Sequence, residues 1–270
     1  MTWARSEEWR HLVTRWVAAR PTASNHRGLA FVREECTDWL QRAGFVVAMH
    51  ESDNPVEQPI LVARRPGTSN HWLGISSHYD VEDTLGDWHS DPWTVCERGG
   101  RLYGRGLADN LGPLAQRLLS LAGRPASKAG VVWVIEGEEE IGSPWAQRLY
   151  ARLQLPPIAI WLEETGYFYK DGRQRVLTMG PRSPLAPLLS VITDVAAEHG
   201  RTIEIRERFL NKAFGNARCP SLTHLVGDRS YLAIGPNDDW ARVHGPNESI
   251  DPSLLALCDA QFVRLLEVLA

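Results

Sequence analysis

Apolar residues recur along this chain in two rhythms. Between residues 4 and 19, Trp9, Leu12, Val13, Trp16 and Val17 fall at helical spacing, which predicts an amphipathic helix. Leu29, Val32, Cys36, Trp39 and Leu40 repeat that spacing. Ser24 or Asn25 caps this second helix, and Gly44 closes it in a left-handed turn. Short apolar runs follow. FVVAMH (45–50) and ILVARR (60–65) predict two strands joined through Asp53, Asn54 and Pro55, and HWLGISS (71–77) predicts a third. Residues 80–105, rich in Asp, Gly and Trp, read as loop. LGPLAQRLLSLAG (111–123) is a helix with its leucines inward. VVWVIEG (131–137), IAIWLEE (158–164) and SYLAIG (230–235) are apolar throughout, as strands buried on both faces are. A helix spans 143–153, with Ser143 as N-cap and Pro144 at its first position. YFYKDGRQRVLTMG predicts a hairpin turning at Asp171-Gly172. A helix over 184–199 ends at Gly200, and Asp251 caps a last helix with Pro252 in its first turn.

Helices alternating with apolar strands predict an α/β fold, a three-layer αβα arrangement around a mostly parallel central sheet, in one domain over 1–270. Composition narrows the function. The 29 basic and 33 acidic residues leave a net charge of −4, which argues against a general nucleic-acid binder. With 43% hydrophobic and 23% charged residues the chain has enough apolar surface for a core, so collagen-like, coiled-coil and disordered readings fall away. No run is long enough to span a bilayer. MTWARSEEWRHLV carries charges throughout, unlike a secretory signal. Cys36, Cys96, Cys219 and Cys258 are scattered, with no C-x-x-C pair. They read as reduced thiols, and the expected location is cytoplasmic.

The polar residues of interest follow strand ends. His78 and Asp80 come after the third strand, Glu138–Glu140 after 131–137, Glu163 and Glu164 at the end of 158–164, and His244 after 230–235. Ligands of open α/β sheets bind beyond the carboxyl ends of the strands. Two histidines and several carboxylates in one crevice need cations to hold them together. Imidazole with carboxylate oxygen suits Zn²⁺, Mn²⁺ or Co²⁺, and two such ions form a hydrolytic centre. Each motif alone has an ordinary reading, as a surface triplet, a solvated helix start or a plain turn. Taken together, in order and at strand ends, they do not.

SHYDVEDTLGDWHSDPW, LYGRGLADNLG, IEGEEEIGS, WLEET and HGPNESI resemble, in this order, five motifs of the M20 family of metallopeptidases and amidohydrolases. The resemblance runs from about residue 20 onward. It implies a zinc-exopeptidase-like fold and two divalent ions, with zinc first and Mn²⁺ or Co²⁺ as alternatives. His78 and Glu163 would bind one ion, Glu140 and His244 the other, and Asp109 would bridge them. Asp80 would orient the His78 ring. Glu139 would be the general base, taking a proton from the attacking water and passing it to the leaving amine. Glu248 would support His244 or its loop, and Gly104 and Gly106 would let backbone approach the site.

Three departures stand out. Leu111 occupies a position where the family has lysine. Thr223-His224 replaces a Thr-Asp pair. The lid and dimerisation domain that usually follows the fourth motif has no room, because only the hairpin near 165–180 separates Glu163 from the next helix. The expected partner is a small amide or peptide, free or carrier-bound, with no nucleic acid and no membrane. The expected assembly is a monomer or an oligomer unlike the family's. Arg105, Arg182, Arg206, Arg208 and Arg242 are candidate anchors for a substrate carboxylate. His89 and His224 are the further histidines to watch, and Trp88, Trp93 and Trp240 candidate cleft walls. The expected activity is hydrolysis of an amide bond. The alternatives are a non-catalytic metal-binding scaffold and an amide-forming or cyclising enzyme on the same centre.

Overall fold

Helical spacing and continuous apolar runs map onto different layers. A computed structural model describes residues 3–164, 166–207 and 220–269. The first half contains α1 (Ser6–Ala19), α2 (His26–Arg42), β1 (Val46–His50), β2 (Ile60–Arg65), β3 (Trp72–His78), β4 (Cys96–Arg98), β5 (Arg101–Tyr103), α3 (Leu111–Leu121) and β6 (Gly130–Glu136). Then come α4 (Pro144–Tyr150), β7 (Ile158–Glu163), β8 (Tyr167–Phe168), β9 (Gln174–Met179), α5 (Arg182–Glu198) and β10 (Ile203–Glu207). The last part holds α6 (Pro220–Val226), β11 (Ser230–Ala233), β12 (Asn237–Asp238), β13 (Ser249–Ile250) and α7 (Leu255–Val268).

Four strands at the centre, ordered β6-β3-β7-β11, run parallel. Three of them, β6, β7 and β11, are the runs that are apolar throughout, and β6 is buried along its whole length. The outer strands depart from the expected parallel sheet. β2 and β1 add antiparallel on one side. On the other side β9 is antiparallel to β11 and β8 antiparallel to β9, while β12 and β10 return to parallel pairing. Connection length explains two of these pairings. The short loops between β1 and β2 and between β8 and β9 permit only hairpins, whereas a parallel neighbour needs a crossover.

The pleat sends alternate residues to two cores. Leu61, Ala63, Ile75, Trp133 and Leu162 pack against α1, α2, α3, α5 and α7. Ile60, Val62, Val132, Val134 and Trp161 pack against α4 and α6. The three layers follow from that alternation. Gly74 shows how tight the second core is. A Cβ there would lie 2.5 Å from Cε3 of the buried Trp161 ring. Gly74→Ala is therefore expected to destabilise the fold by about 1–3 kcal/mol. A urea midpoint unchanged from wild type would contradict it.

Helix ends match the sequence in part. The Asn25 side chain accepts from the Gly28 N–H at 3.2 Å, and Gly44 adopts φ 81°. Asp251 accepts from the Ser253 N–H at 2.9 Å, ahead of a 3₁₀ turn that leads into α7. Ser143 corrects its expected role. It sits at φ 55° and gives α4 no side-chain cap. Its N–H instead donates to the Glu138 carbonyl at 2.7 Å, closing the turn that carries Glu139 and Glu140.

The stretch read as loop over 80–105 contains a β4–β5 hairpin. β13 pairs with β5 to make a second, three-stranded sheet. Ser249 lies opposite Tyr103 and Ile250 opposite Leu102. This small sheet lays the segment after Tyr103 beside the segment before Ser249. Between β7 and α5 the chain passes through β8 and β9, which belong to the main sheet. Among the described residues, no helix is long and apolar enough to cross a membrane.

Candidate metal centre

His78 ends β3, at the carboxyl edge of the central strands. Its Nδ1 lies 3.0 Å from the Asp80 carbonyl oxygen and 3.3 Å from Asp80 Oδ1. Its Nε2 lies 3.0 Å from Asp109 Oδ1. Asp80 also accepts from two backbone N–H groups, of Glu139 at 3.2 Å and of Glu140 at 3.0 Å. One buried carboxylate thus sets both the His78 ring and the turn after β6. His244 reaches in from the loop before β13. Its Nε2 lies 2.8 Å from Glu140 Oε2 and 3.4 Å from Asp109 Oδ2. Proposed ligands from four separate motifs, His78, Asp109, Glu140 and His244, therefore come together at Asp109 and Glu140.

The backbone that delivers Asp109 is held by Glu248. This carboxylate is fully buried and pairs with the equally buried Arg105 at 2.7 Å. It also accepts from the N–H groups of Gly106 at 3.0 Å, Ala108 at 2.9 Å and Asp109 at 3.1 Å. Arg105 in turn donates to the carbonyls of Asp83 and His244, each at 3.1 Å. Loops 83, 104–109 and 244–248 are thereby tied into one unit. Gly106 is required within it. It adopts φ +80°, and a Cβ would come within 2.3 Å of Val81. His244 itself sits at φ 62°, a conformation that non-glycine residues take up rarely and mostly at functional sites.

Electrostatics mark the same place. Burial raises the Glu139 carboxyl to about 7, with Asp109, Glu140 and Asp80 adding like charge. Burial also raises Glu140 and takes Glu136 to about 8 and Glu164 to about 7. Burial alone would lower His78, but Asp109 and Asp80 outweigh it and raise the ring well above its ordinary value. His244 is raised to about 10 by its contacts with Asp109 and Glu140. Asp109, against its burial, is pulled down by the two imidazoles. Carboxylates and imidazoles here share protons in the way that a bound cation would replace.

Donor atoms close enough to share a cation form two groups among the described residues. One is His78, Asp109 and Glu140; the other is Glu82, Glu140 and His244. Glu82 was not anticipated. It stands two residues after Asp80 in the HYDVED segment, and that spacing was its only signal. Glu163 belongs to neither group. It pairs in register with Ser76 on β3, which puts it on the same face of the sheet as His78. Its neighbour Glu164 is buried against Arg117, Oε1 to Nε 3.5 Å, and both of its oxygens lack a hydrogen bond. Glu138 is buried below the turn.

Several candidate anchors lie elsewhere. Arg105 is a buried structural cation, paired with Glu248 as above. Arg182 and Arg206 are exposed, beside Glu207 and Glu204 respectively. Arg208 and Cys219 lie outside the described residues. Cys36, Cys96 and Cys258 are free thiols. His224 is exposed on α6. The Trp88 ring stacks under Arg105 and that of Trp93 under Arg20. Trp240, 54% exposed, carries Lys170 on its face. His89 is exposed, and its N–H donates to Asn247 Oδ1 at 2.8 Å.

The profile of peptidase family M20/M25/M40 matches residues 74–268, which hold all the candidate metal ligands and Glu139. The chain belongs to that family. Curated relatives resemble shorter stretches of this M20 chain. A succinyl-diaminopimelate desuccinylase of Acidiphilium cryptum is 41% identical over 81 residues, 30% of this chain and 22% of its own. A cysteinylglycine-S-conjugate dipeptidase of Corynebacterium striatum is 33% identical over 122 residues, 42% of this chain and 27% of its own. These matches thus span about a quarter of the relatives' length. Among solved structures, an M20 family metallo-carboxypeptidase of Sulfolobus solfataricus superposes with a TM-score of 0.75 at 12% identity, covering 97% of this chain and 99% of that one. Human carnosine dipeptidase 1 gives 0.69 at 13% identity, covering 97% and 96%. At such identities the likeness is one of fold.

Proposed function

We propose that this M20 chain is a metal-dependent hydrolase of amide or peptide bonds, built on one catalytic domain without an inserted lid. The observation that carries the reading is the convergence of His78, Asp109, Glu140 and His244 from four separate segments, with Glu139 buried beside them. The donor chemistry fits divalent ions. Nitrogen and carboxylate oxygen ligands alternate, and buried Glu140 Oε1 has no hydrogen-bond partner of its own. His78 and Asp109 with Glu163 would hold one ion. Asp109 and Glu140 with His244 would hold the second, and Glu82 is within reach of that group.

Bound there, the ions supply Lewis-acid polarisation of the scissile carbonyl and a more acidic water. The rest is done by the chain. Asp80 fixes the His78 tautomer through Nδ1 and holds the Glu139 backbone. Glu139, raised to about 7 by burial, takes a proton from the attacking water. It then hands that proton to the departing nitrogen, so the amine leaves neutral. Glu248 and Arg105 keep the Asp109 loop from relaxing.

The decisive experiment joins metal analysis to turnover. The zinc-replete protein should hold close to two ions per chain. It should cleave at least one member of a panel of N-acyl amino acids, dipeptides and aminopeptidase substrates, and Glu139→Gln should not. Metal content near zero in the replete wild type would overturn the reading, and so would equal turnover by both proteins.

A pH effect follows for the metal-stripped protein. Glu136, Glu139, Glu164 and Glu248 are raised by burial to between about 7 and about 8. The folded state therefore prefers them neutral, and their contribution is lost as pH rises from about 4.5 through those values. His78 and His244 are raised too, so their contribution is full below about 6.5 and is lost as pH rises above it, that of His244 on the way to about 10. Both effects have one sign. In chelator, the urea midpoint should fall between about pH 5.5 and about pH 9. Zinc should widen its stabilising margin over the same interval, because bound metal takes the place of those protons. A stripped protein that gains stability with rising pH would contradict this.

A further inference from the structure

The hydrolase reading gives Glu82 no task, yet its position is as closely fixed as those of the ligands. Its carboxylate groups with Glu140 and His244, one donor atom from each lying within 4.8 Å of the others. Two ligands on opposite sides of an ion, with bonds of about 2.1 Å, stand about 4.2 Å apart. These three need move little to share one ion. The backbone on either side of Glu82 is held. The N–H of buried Val81 donates to the Pro21 carbonyl at 2.9 Å, and the Asp83 carbonyl accepts from Arg105 at 3.1 Å. The same Arg105 nitrogen donates to the His244 carbonyl, also at 3.1 Å. One buried guanidinium thus sets the spacing of two loops whose side chains then converge. Charge asks for a cation between them. The Glu140 side chain is 4% exposed, and its Oε1 has no hydrogen-bond partner. Among the described residues, no lysine or arginine pairs with Glu82. Two carboxylates so close repel one another unless a proton or a cation lies between them.

We propose that Glu82 is a fourth protein ligand of the second ion, joining Asp109, Glu140 and His244, and that it makes the two ion sites unequal. The inference rests on the hydrolase reading for the existence of a two-ion centre and adds what tells the ions apart. The first ion has three protein ligands, His78, Asp109 and Glu163. Sites closed by four protein ligands are typical of ions that are retained, whereas sites with three keep a position open. Charge works in the same direction. Three carboxylates, Asp109, Glu140 and Glu82, serve the second site, and two, Asp109 and Glu163, serve the first. The His244 side of the centre therefore holds its ion firmly. The His78 side exchanges its ion more readily and keeps the open position.

The test strips zinc-loaded protein with a graded series of chelator and counts zinc per chain by mass spectrometry. Wild type should descend in two steps, pausing near about one ion per chain, and the last ion should leave only at about 10–100-fold higher chelator. Glu82→Ala should erase the pause by weakening the retained ion at least about 10-fold, at unchanged circular dichroism. Glu82→His, which puts a ligand back, should restore part of the pause. Glu163→Ala should remove the easily lost ion and keep the retained one. Loss of both ions in a single step from wild type would overturn the assignment, as would a pause that survives Glu82→Ala. Unchanged retention in Glu82→Ala, joined to a raised KM for substrates with a free amino group, would give this carboxylate to the substrate instead of the metal. A replete wild type that holds no zinc at all would sink the hydrolase reading itself, whereas two ions lost together would leave that reading standing.

Discussion

Glu139→Gln is expected to cut turnover about 10²–10⁴-fold while leaving the metal content at its wild-type level. The substitution keeps size and shape and removes the ability to accept a proton. Its placement should survive, because Asp80 holds residue 139 through the backbone N–H at 3.2 Å and not through the side chain. The wild-type carboxyl sits at about 7, raised by burial and the neighbouring acids. A base must be deprotonated to act, so wild-type kcat/KM should fall on the acid side with a limb that the variant does not show. Residual activity within tenfold of wild type would remove Glu139 from the base role. Loss of metal with the substitution would make it a ligand instead.

Glu248→Ala should be the most damaging single change to the scaffold, at about 3–5 kcal/mol. The side chain has no exposed surface, and neither has its partner Arg105. Truncation strands a buried guanidinium and leaves the N–H groups of Gly106, Ala108 and Asp109 without their acceptor. Both losses fall on the loop that carries Asp109, so zinc affinity should drop together with the urea midpoint. Arg105→Met combined with Glu248→Leu separates the two contributions. It removes both charges and still leaves the backbone donors unmet, so it should recover part of the stability and little of the affinity. A Glu248→Ala variant within about 1 kcal/mol of wild type would mean that the ion pair is not what holds the loop.

The layers were legible because apolar periodicity is strong where burial is complete. VVWVIE and IAIWLE have nowhere to go but the middle of a sheet. The grouping of most candidate ligands was legible for a different reason. His78, Asp109, Glu140 and His244 lie in short motifs whose order the topology turns into proximity. Short elements were illegible. β4 and β5 are only three residues each, and β4 carries Glu97 and Arg98 exposed, so neither shows a run long enough for alternation to mark it. β10 has a mixed pattern with an exposed end and was absorbed into the segment after Gly200. Pairing direction was read too simply, since apolar content says that a strand is central and not which way its outer neighbours run. Glu82 and the burial of Arg105 depend on how loops fold back on one another. Arg105 looks like any loop arginine until β13 brings Glu248 against it.

The donors enter the chain at position 78 and are complete only at position 244, by which point the sheet has already crossed over itself. During synthesis, His78, Asp109 and Glu140 leave the ribosome well before His244 does, and a cation caught by those three meets an unfinished shell. If the centre holds metal as proposed, its retention should report that the β5–β13 clasp has formed, and its release should be among the earliest signs that the clasp has opened.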